Sequence, residues 1–326
     1  MRRLLGLIAV LLLLAGPLPA WNAAGHRIVA LVAWSQITPA RRAELIELLE
    51  QHPRFEEDFL EAMPPEVRWS WDPEVRGRWL ISQACVWPDL ARSQPDYHHG
   101  PWHYVNHPLF LDAQDEARFE ARGGVEANLA TERAPDDDRE AWNAHQALDW
   151  SLEVLGDESA KASDRALALC WYLHVASDLH QPCHTTALFT SGVFPYGDRG
   201  GNLVLIEGRG NLHGLWDGLL GYDASLSSVE HQVQEYLGDA ALVAAARVAA
   251  ATTDHRVWAT EGRDAARRHA YDATILDAVR LAERSGAERP AVVSLPATYL
   301  ANGAVVARRR AATAAFRIAG ELAQVP

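Results

Sequence analysis

Histidines and carboxylates recur in this chain in short clusters whose spacing suits metal binding. The stretch "HVASDLHQPCH" supplies His174, Asp178, His180 and His184. His174 and Asp178 stand at i and i+4, so a helix would put both on one face. His184 follows just past the break that Pro182 imposes. "NLHGLWD" repeats the i, i+4 spacing with His213 and Asp217. "VWPDLAR" adds Asp89 and Arg92, "PWHYVNH" adds His103 and His107, and "WNAAGH" adds Trp21 and His26. Leu173, Val175 and Leu179 surround His174 with apolar residues, and a buried ionisable group needs a partner or a metal. Neutral imidazoles with carboxylates are a ligand set for zinc. One His–Asp pair at this spacing is ordinarily a salt bridge or a cap. Clusters this numerous exceed what one tetrahedral zinc takes, so they point to more than one ion with a shared carboxylate.

The elements that must position these residues read as mostly helical. Thr38-Pro39 opens a helix through Leu49. Asp164 opens another that runs from Arg165 to His180 and ends at Pro182. Residues 240–252, 263–285 and 295–322 are rich in Ala, Leu and Arg and read as helices. Residues 112–140 are polar, with Gly123-Gly124 and three consecutive aspartates from Asp136, and read as a long surface excursion. The β signal is Asn202 to Ile206, framed by glycines, which reads as a short strand or hairpin. No repeat or interdomain linker interrupts the chain. The expected fold is all-α, a single compact multi-helix domain over residues 21–326 with one small β hairpin.

The chain of 326 residues carries a net charge of −13. Without Arg2 and Arg3 the basic count is 28 against 43 acidic residues, a balance of −15. Nucleic-acid binders are usually basic. If this protein handles a polyanion, bound metal must supply the positive charge. Residues 1–20 carry Arg2 and Arg3, an apolar run from Leu4 to Ala15, then Gly16 and Pro17, the pattern of a cleaved secretory signal. The run is short for a membrane span, and no other segment is apolar enough for one, so a secreted or periplasmic protein without stable membrane association is expected. Cleavage after Ala20 would leave Trp21 as the first residue.

The three cysteines, Cys85, Cys170 and Cys183, permit at most one internal disulfide. Cys170 reads as a buried small hydrophobe, while Cys183, beside His184, is a conceivable thiolate ligand. His98 and His99 sit in a polar loop, and His145 reads as solvated on a charged helix. His107 and His180 are close enough in sequence to ligands to be their outer partners. The twelve tryptophans read mostly as core, with Trp21 the exception.

Together these clusters resemble the trinuclear-zinc nucleases, namely the single-strand-specific nucleases of fungi, the bifunctional nucleases of plants and their bacterial relatives. Bacterial zinc-dependent phospholipase C shares the superfamily. The resemblance implies that Asp89, His103, His174 and Asp178 hold a first zinc. A second, close to the first, falls to Trp21, His26 and the shared Asp178, and a third to His184, His213 and Asp217. Trp21 is implied to bind through its free α-amino nitrogen and carbonyl oxygen. An α-amine has an ordinary pKa of about 7.7–8.0, so it is available near neutral pH. The matches run from residue 21 to 217 and include "DRGGN" at 198–202. The last third of the chain matches weakly, through Tyr299 and the Arg-rich helix after it.

The implied activity is hydrolysis of single-stranded RNA and DNA to 5′-phosphorylated products, with 3′-nucleotidase activity. The two close zincs would activate a bridging hydroxide, with Asp89 orienting or deprotonating the water. The third zinc would stabilise the leaving 3′ oxygen, and Arg92 would grip the scissile phosphate. Many relatives carry Asn after the last zinc-binding Asp, where it contacts the base. Gly218 stands there in this chain, so the base pocket is altered. Asn202 is a candidate to shape it, and Phe119 and Asp137 are candidate base contacts. The implied substrates are single-stranded nucleic acids and 3′-nucleotides, with no obligatory protein partner. Two alternatives stay open at this point. One is a phospholipase C, disfavoured because those enzymes carry Glu where this chain has Asp217. The other is a non-catalytic zinc-binding protein.

Overall fold

The computed structural model describes residues 21–133 and 136–325, without the side chains of 136–138. The expected leader, residues 1–20, and the Asp137 side chain lie outside the described residues. The first helices are α1 (Ala23–Gln36), α2 (Pro39–Leu49), α3 (Pro65–Arg68), α4 (Pro73–Leu90) and α5 (Ala113–Glu120). Then come α6 (Ala144–Gly156), α7 (Ala162–Asp178) and the short α8 (Leu212–Asp217). The last are α9 (Leu226–Gly238), α10 (Ala240–Ala249), α11 (His255–Ala265), α12 (Ala273–Ser285) and α13 (Ala297–Leu322). The expected all-α class holds.

Local chemistry fixes most starts. Thr38 accepts from the Arg41 amide with Pro39 next to it, so α2 begins where the sequence says it should. Asn22 and Asn211 accept from the amides of Gly25 and Gly214, and thereby start the two helices that carry His26 and His213. Helices α1 and α7 are buried nearly all round, and α1 packs against α13, α4 and α9. Their residues, with Trp87 and Trp102, form the larger core. A second core under α8 joins Trp216, Tyr271, Ile275 and Tyr299, where the Trp216 indole donates to the Tyr299 hydroxyl at 2.9 Å.

Several expectations need correcting. Helix α7 starts at Ala162, ahead of Asp164, with Lys161 at the cap. Residues 263–285 do not form one helix. Tyr271 breaks the run, held by its hydroxyl on Asp198, and Asp272 caps α12 through the amides of Thr274 and Ile275. The excursion at 112–140 contains α5, capped by Asp112. Phe119 on that helix packs against Phe189 at 5 % exposure, which removes it as a base contact. Trp69 and Trp71 are exposed in the turn between α3 and α4, outside any packed face.

The expected hairpin exists, but only β3 (Leu205–Ile206) and β4 (Gly210–Asn211) pair, antiparallel. Residues 202–204 form a turn instead. A further pair was not expected: β1 (His107–Phe110) runs parallel to β2 (Thr186–Phe189). Its ladder continues backward, as the Val105 amide donates to His184 and that of His107 to Thr185. This brings the turns bearing His103 and His184 side by side.

The "DRGGN" loop passes close under the third cluster. Gly200 has φ +62, and a Cβ there would lie 2.3 Å from the Cys183 carbonyl oxygen and 3.3 Å from His213 Nδ1. Gly200→Ala should therefore cost about 2 kcal/mol or more and displace His213. Thermal unfolding and zinc content measure both, and an unchanged Tm would contradict this packing.

Candidate metal centre

Six segments converge on one buried volume. The start of α1 gives Trp21 and His26, the end of α4 gives Asp89, and the turn before β1 gives His103. The last turns of α7 give His174 and Asp178. The turn before β2 and helix α8 give His184, His213 and Asp217. Three sets of side chains come within metal-binding reach: Asp89, His103 and His174; His26, His174 and Asp178; and His184, His213 and Asp217.

Asp178 stands between the first two sets, and its two oxygens face different ways. Oδ2 lies 3.2 Å from His103 Nδ1 and 3.3 Å from His174 Nε2. Oδ1 lies 3.4 Å from His26 Nε2. Asp89 Oδ1 closes the first set at 3.7 Å from His174 Nε2 and 4.0 Å from His103 Nδ1. In the third set, His184 and His213 point Nε2 at each other across 3.0 Å, with Asp217 Oδ2 at 3.7 Å from His213. Asp178 Oδ2 is also 3.8 Å from His184, so the three sets form one centre.

The donor set fits metal ions. Asp178 Oδ1, Asp217 Oδ2 and His26 Nε2 are buried with no hydrogen-bond partner, a costly state unless something binds them. Two ring nitrogens facing each other at 2.9 Å (His174 with His103) or 3.0 Å (His184 with His213) need a shared proton or cation. Two nitrogens on one zinc, each bonded at about 2.0–2.1 Å, stand roughly this far apart.

Burial sets the electrostatics. Desolvation pushes the carboxyls of Asp178 and Asp217 far above the usual range and raises Asp89, with Arg92 opposing it at each. Desolvation likewise holds His26, His103, His174 and His184 below their ordinary value, and His213 at about 4. The imidazoles are thus neutral and ready as ligands, while the carboxylates need positive charge. Arg92 supplies one, donating from Nη2 to Asp89 Oδ1 at 2.6 Å.

Outer contacts aim the rings. His174, His184 and His213 use Nδ1 on the main-chain oxygens of Cys85, His103 and Gly200, at 2.7, 2.6 and 2.8 Å. His26 differs, with Nδ1 3.7 Å from the Cys85 thiol, which itself donates to the Leu173 carbonyl at 3.5 Å. Cys85 thus touches ligands of both close sets. The Gln181 side chain donates to Asp217 Oδ1 at 2.6 Å. The Trp21 indole donates to the carbonyl of Ser177 at 3.2 Å, which seats residue 21 beside Asp178.

Sequence reasoning missed Cys85 and Gln181 because neither stands at a ligand spacing. Tyr104, next to His103, is 39 % exposed. All three cysteines are buried and free, and Cys183 belongs to none of the metal sets. His145 is buried, not solvated, and faces His255 at the start of α6. His99 stacks on Trp102 at 4.0 Å. The His180 ring bonds to the Ala176 carbonyl and to Arg317, not to a ligand residue. Asn202 bonds to the Arg199 carbonyl within its own turn, and Gly218 closes α8 directly after Asp217.

Two outcomes follow from this geometry. Asp178→Asn should empty the close pair of sets and leave the third, so bound metal measured by elemental analysis should fall to what the third set holds. Loss of all bound metal in that variant, or of none, would contradict the separation. Acidification has a definite sign as well. With His213 held at about 4, protons compete for its nitrogen only well below its ordinary value. Protons add to the raised carboxyls of Asp178 and Asp217 sooner, so dialysis at falling pH should release metal progressively and leave none at about pH 3.5.

The curated proteins compared with this chain give no match. The family model described as S1/P1 Nuclease matches residues 21–325, and those residues hold every ligand of the centre. On that match, the chain belongs to the S1/P1 nuclease family, and is a nuclease.

Proposed function

We propose that this protein is a secreted, zinc-dependent endonuclease that cleaves single-stranded RNA and DNA to 5′-phosphorylated products and also hydrolyses 3′-nucleotides. The observation that carries the reading is the Asp178 carboxylate, with one oxygen toward His103 and His174 and the other toward His26. A carboxylate so placed joins two adjacent cation sites, and the third set lies alongside. Three zinc ions would be held, one by Asp89, His103, His174 and Asp178, one by Trp21, His26 and Asp178, and one by His184, His213 and Asp217.

Zinc bound there would activate water and carry the positive charge that phosphate oxygens require. The chain's own groups do the rest. Asp89, raised by burial, is placed to accept the proton of the attacking water. Arg92, held on Asp89 through Nη2, would bring its guanidinium charge to the phosphate oxygens. Tyr104, beside His103 and open to solvent, gives a base a face to stack on. The local charge of such a centre also accounts for substrate binding by an acidic chain.

The choice of Trp21 goes together with export. We propose that residues 1–20 are a signal, and that their removal frees the Trp21 amine. Before removal that nitrogen is an amide, a poor zinc ligand, so the nuclease would stay idle until secreted. No helix among the described residues is long and apolar enough to cross a membrane.

Two proteins test this, one beginning at Trp21 and one with an extra Gly ahead of it. Each is assayed on single-stranded RNA and on phosphatidylcholine, with and without chelator. The first should cleave RNA only, lose activity to the chelator and regain it with zinc better than with magnesium. The extended protein should bind less zinc and cleave far more slowly. Equal zinc and equal rates would refute the amine ligand, and hydrolysis of the lipid alone would refute the substrate class.

A further inference from the structure

Helix α7 ends at the ligand Asp178, and the carbonyls that follow are buried. Leu179 caps the helix, and neither Leu179 nor His180 reaches solvent. Carbonyls at a helix C-terminus have no partner within the helix, and leaving them bare in the interior is costly. The donors come from α13, 130 residues further along the chain. Arg310 donates from Nε to the His180 carbonyl at 3.1 Å and from Nη2 to the Leu179 carbonyl at 3.2 Å. The same guanidinium reaches α11, with Nη2 3.2 Å from the Trp258 carbonyl and Nη1 2.9 Å from Glu261 Oε2. A cation placed there also faces the negative end of the α7 dipole.

Arg317, about two turns on along the same face of α13, fastens the neighbouring side chain. Its Nη1 donates to His180 Nε2 at 2.9 Å, and Nη1 and Nη2 hold the two oxygens of Glu261 at 2.8 and 2.9 Å. The His180 ring returns Nδ1 to the Ala176 carbonyl at 2.7 Å, so it is pinned to α7 and α13 together. Gly262 lets α11 press on this turn from outside. A Cβ there would lie 2.5 Å from Thr185 Oγ1 and 3.1 Å from the Leu179 carbonyl oxygen.

The clamped segment is a short turn with the metal sets at its two ends. Asp178 joins the two close sets. Gln181 closes the turn, its amide donating to the Asp178 carbonyl at 2.8 Å, and its side chain donates to Asp217 Oδ1 of the third set at 2.6 Å. On the reading of three metal sets given above, we propose that Arg310 is a positioning residue of this centre. By tying the turn from Asp178 to Gln181 to α11 and α13, it sets where the third metal set stands relative to the close pair. An attacking water and a leaving oxygen served by different ions need those ions at one separation, and a misplacement of about 1 Å costs about a hundredfold in rate.

Zinc-loaded proteins beginning at Trp21 test this through steady-state cleavage of single-stranded RNA and through diffraction at the zinc edge. Arg310→Ala should lower kcat about ten- to a hundredfold with KM and zinc content unchanged, and its third zinc peak should shift relative to the other two. Arg310→Lys, which keeps the charge without the planar fork, should fall between that variant and wild type, and it carries the test if Arg310→Ala does not fold. Arg308→Ala, on the same helix but bonded to the Glu235 carbonyl, should match wild type. Gln181→Ala should lower kcat as well, and combining it with Arg310→Ala should cost little more than the worse single change, because both act through one turn. A lower Tm with unchanged kcat and unmoved peaks in the Arg310 variants, or losses that multiply in the double variant, would overturn the positioning role. If the unaltered protein cleaves no RNA, the substrate reading falls, and the zinc peaks alone decide the role of Arg310.

Discussion

The structure depends on burying charge that it does not itself balance. Asp89, Asp178 and Asp217 sit in one dry volume among imidazoles, and burial disfavours every ionised state there. Arg92 is the cation that opposes this at each carboxyl, and one guanidinium against three carboxylates leaves a deficit. A cation site resolves both halves of the problem, since neutral imidazoles bind it and the carboxylates neutralise it.

Much of the fold follows from that arrangement. Ligands must reach the middle of the molecule, so α1 and α7, which carry them, are buried on nearly all sides. Apolar packing holds those helices, while hydrogen bonds at the imidazole Nδ1 atoms aim the rings. The small parallel ladder does comparable work, drawing the His103 and His184 turns together. Gly200 is glycine because the Cys183 carbonyl and His213 close over it.

The ligands were legible because their spacing is helical. His174 with Asp178, and His213 with Asp217, share faces as i, i+4 pairs, and the structure brings both pairs to the centre. Capping chemistry likewise marked α2 at Thr38-Pro39. What failed was what depends on partners distant in sequence. Strand β1 is four residues long, contains Pro108, and exists only because β2 lies beside it. His145 looked solvated because its polar neighbours in sequence say nothing of the His255 ring that faces it. Phe119 looked free because Phe189, which covers it, lies seventy residues on. Cys85 acts through a thiol on one ligand and a carbonyl on another, a role with no sequence signature.

The central claim is that Asp178 joins two metal ions beside a third. Diffraction at the zinc absorption edge from the protein beginning at Trp21 tests it most directly. The account predicts three anomalous peaks, two of them on opposite oxygens of Asp178 and one among His184, His213 and Asp217. A single peak, or none between Asp178 and His26, would contradict it.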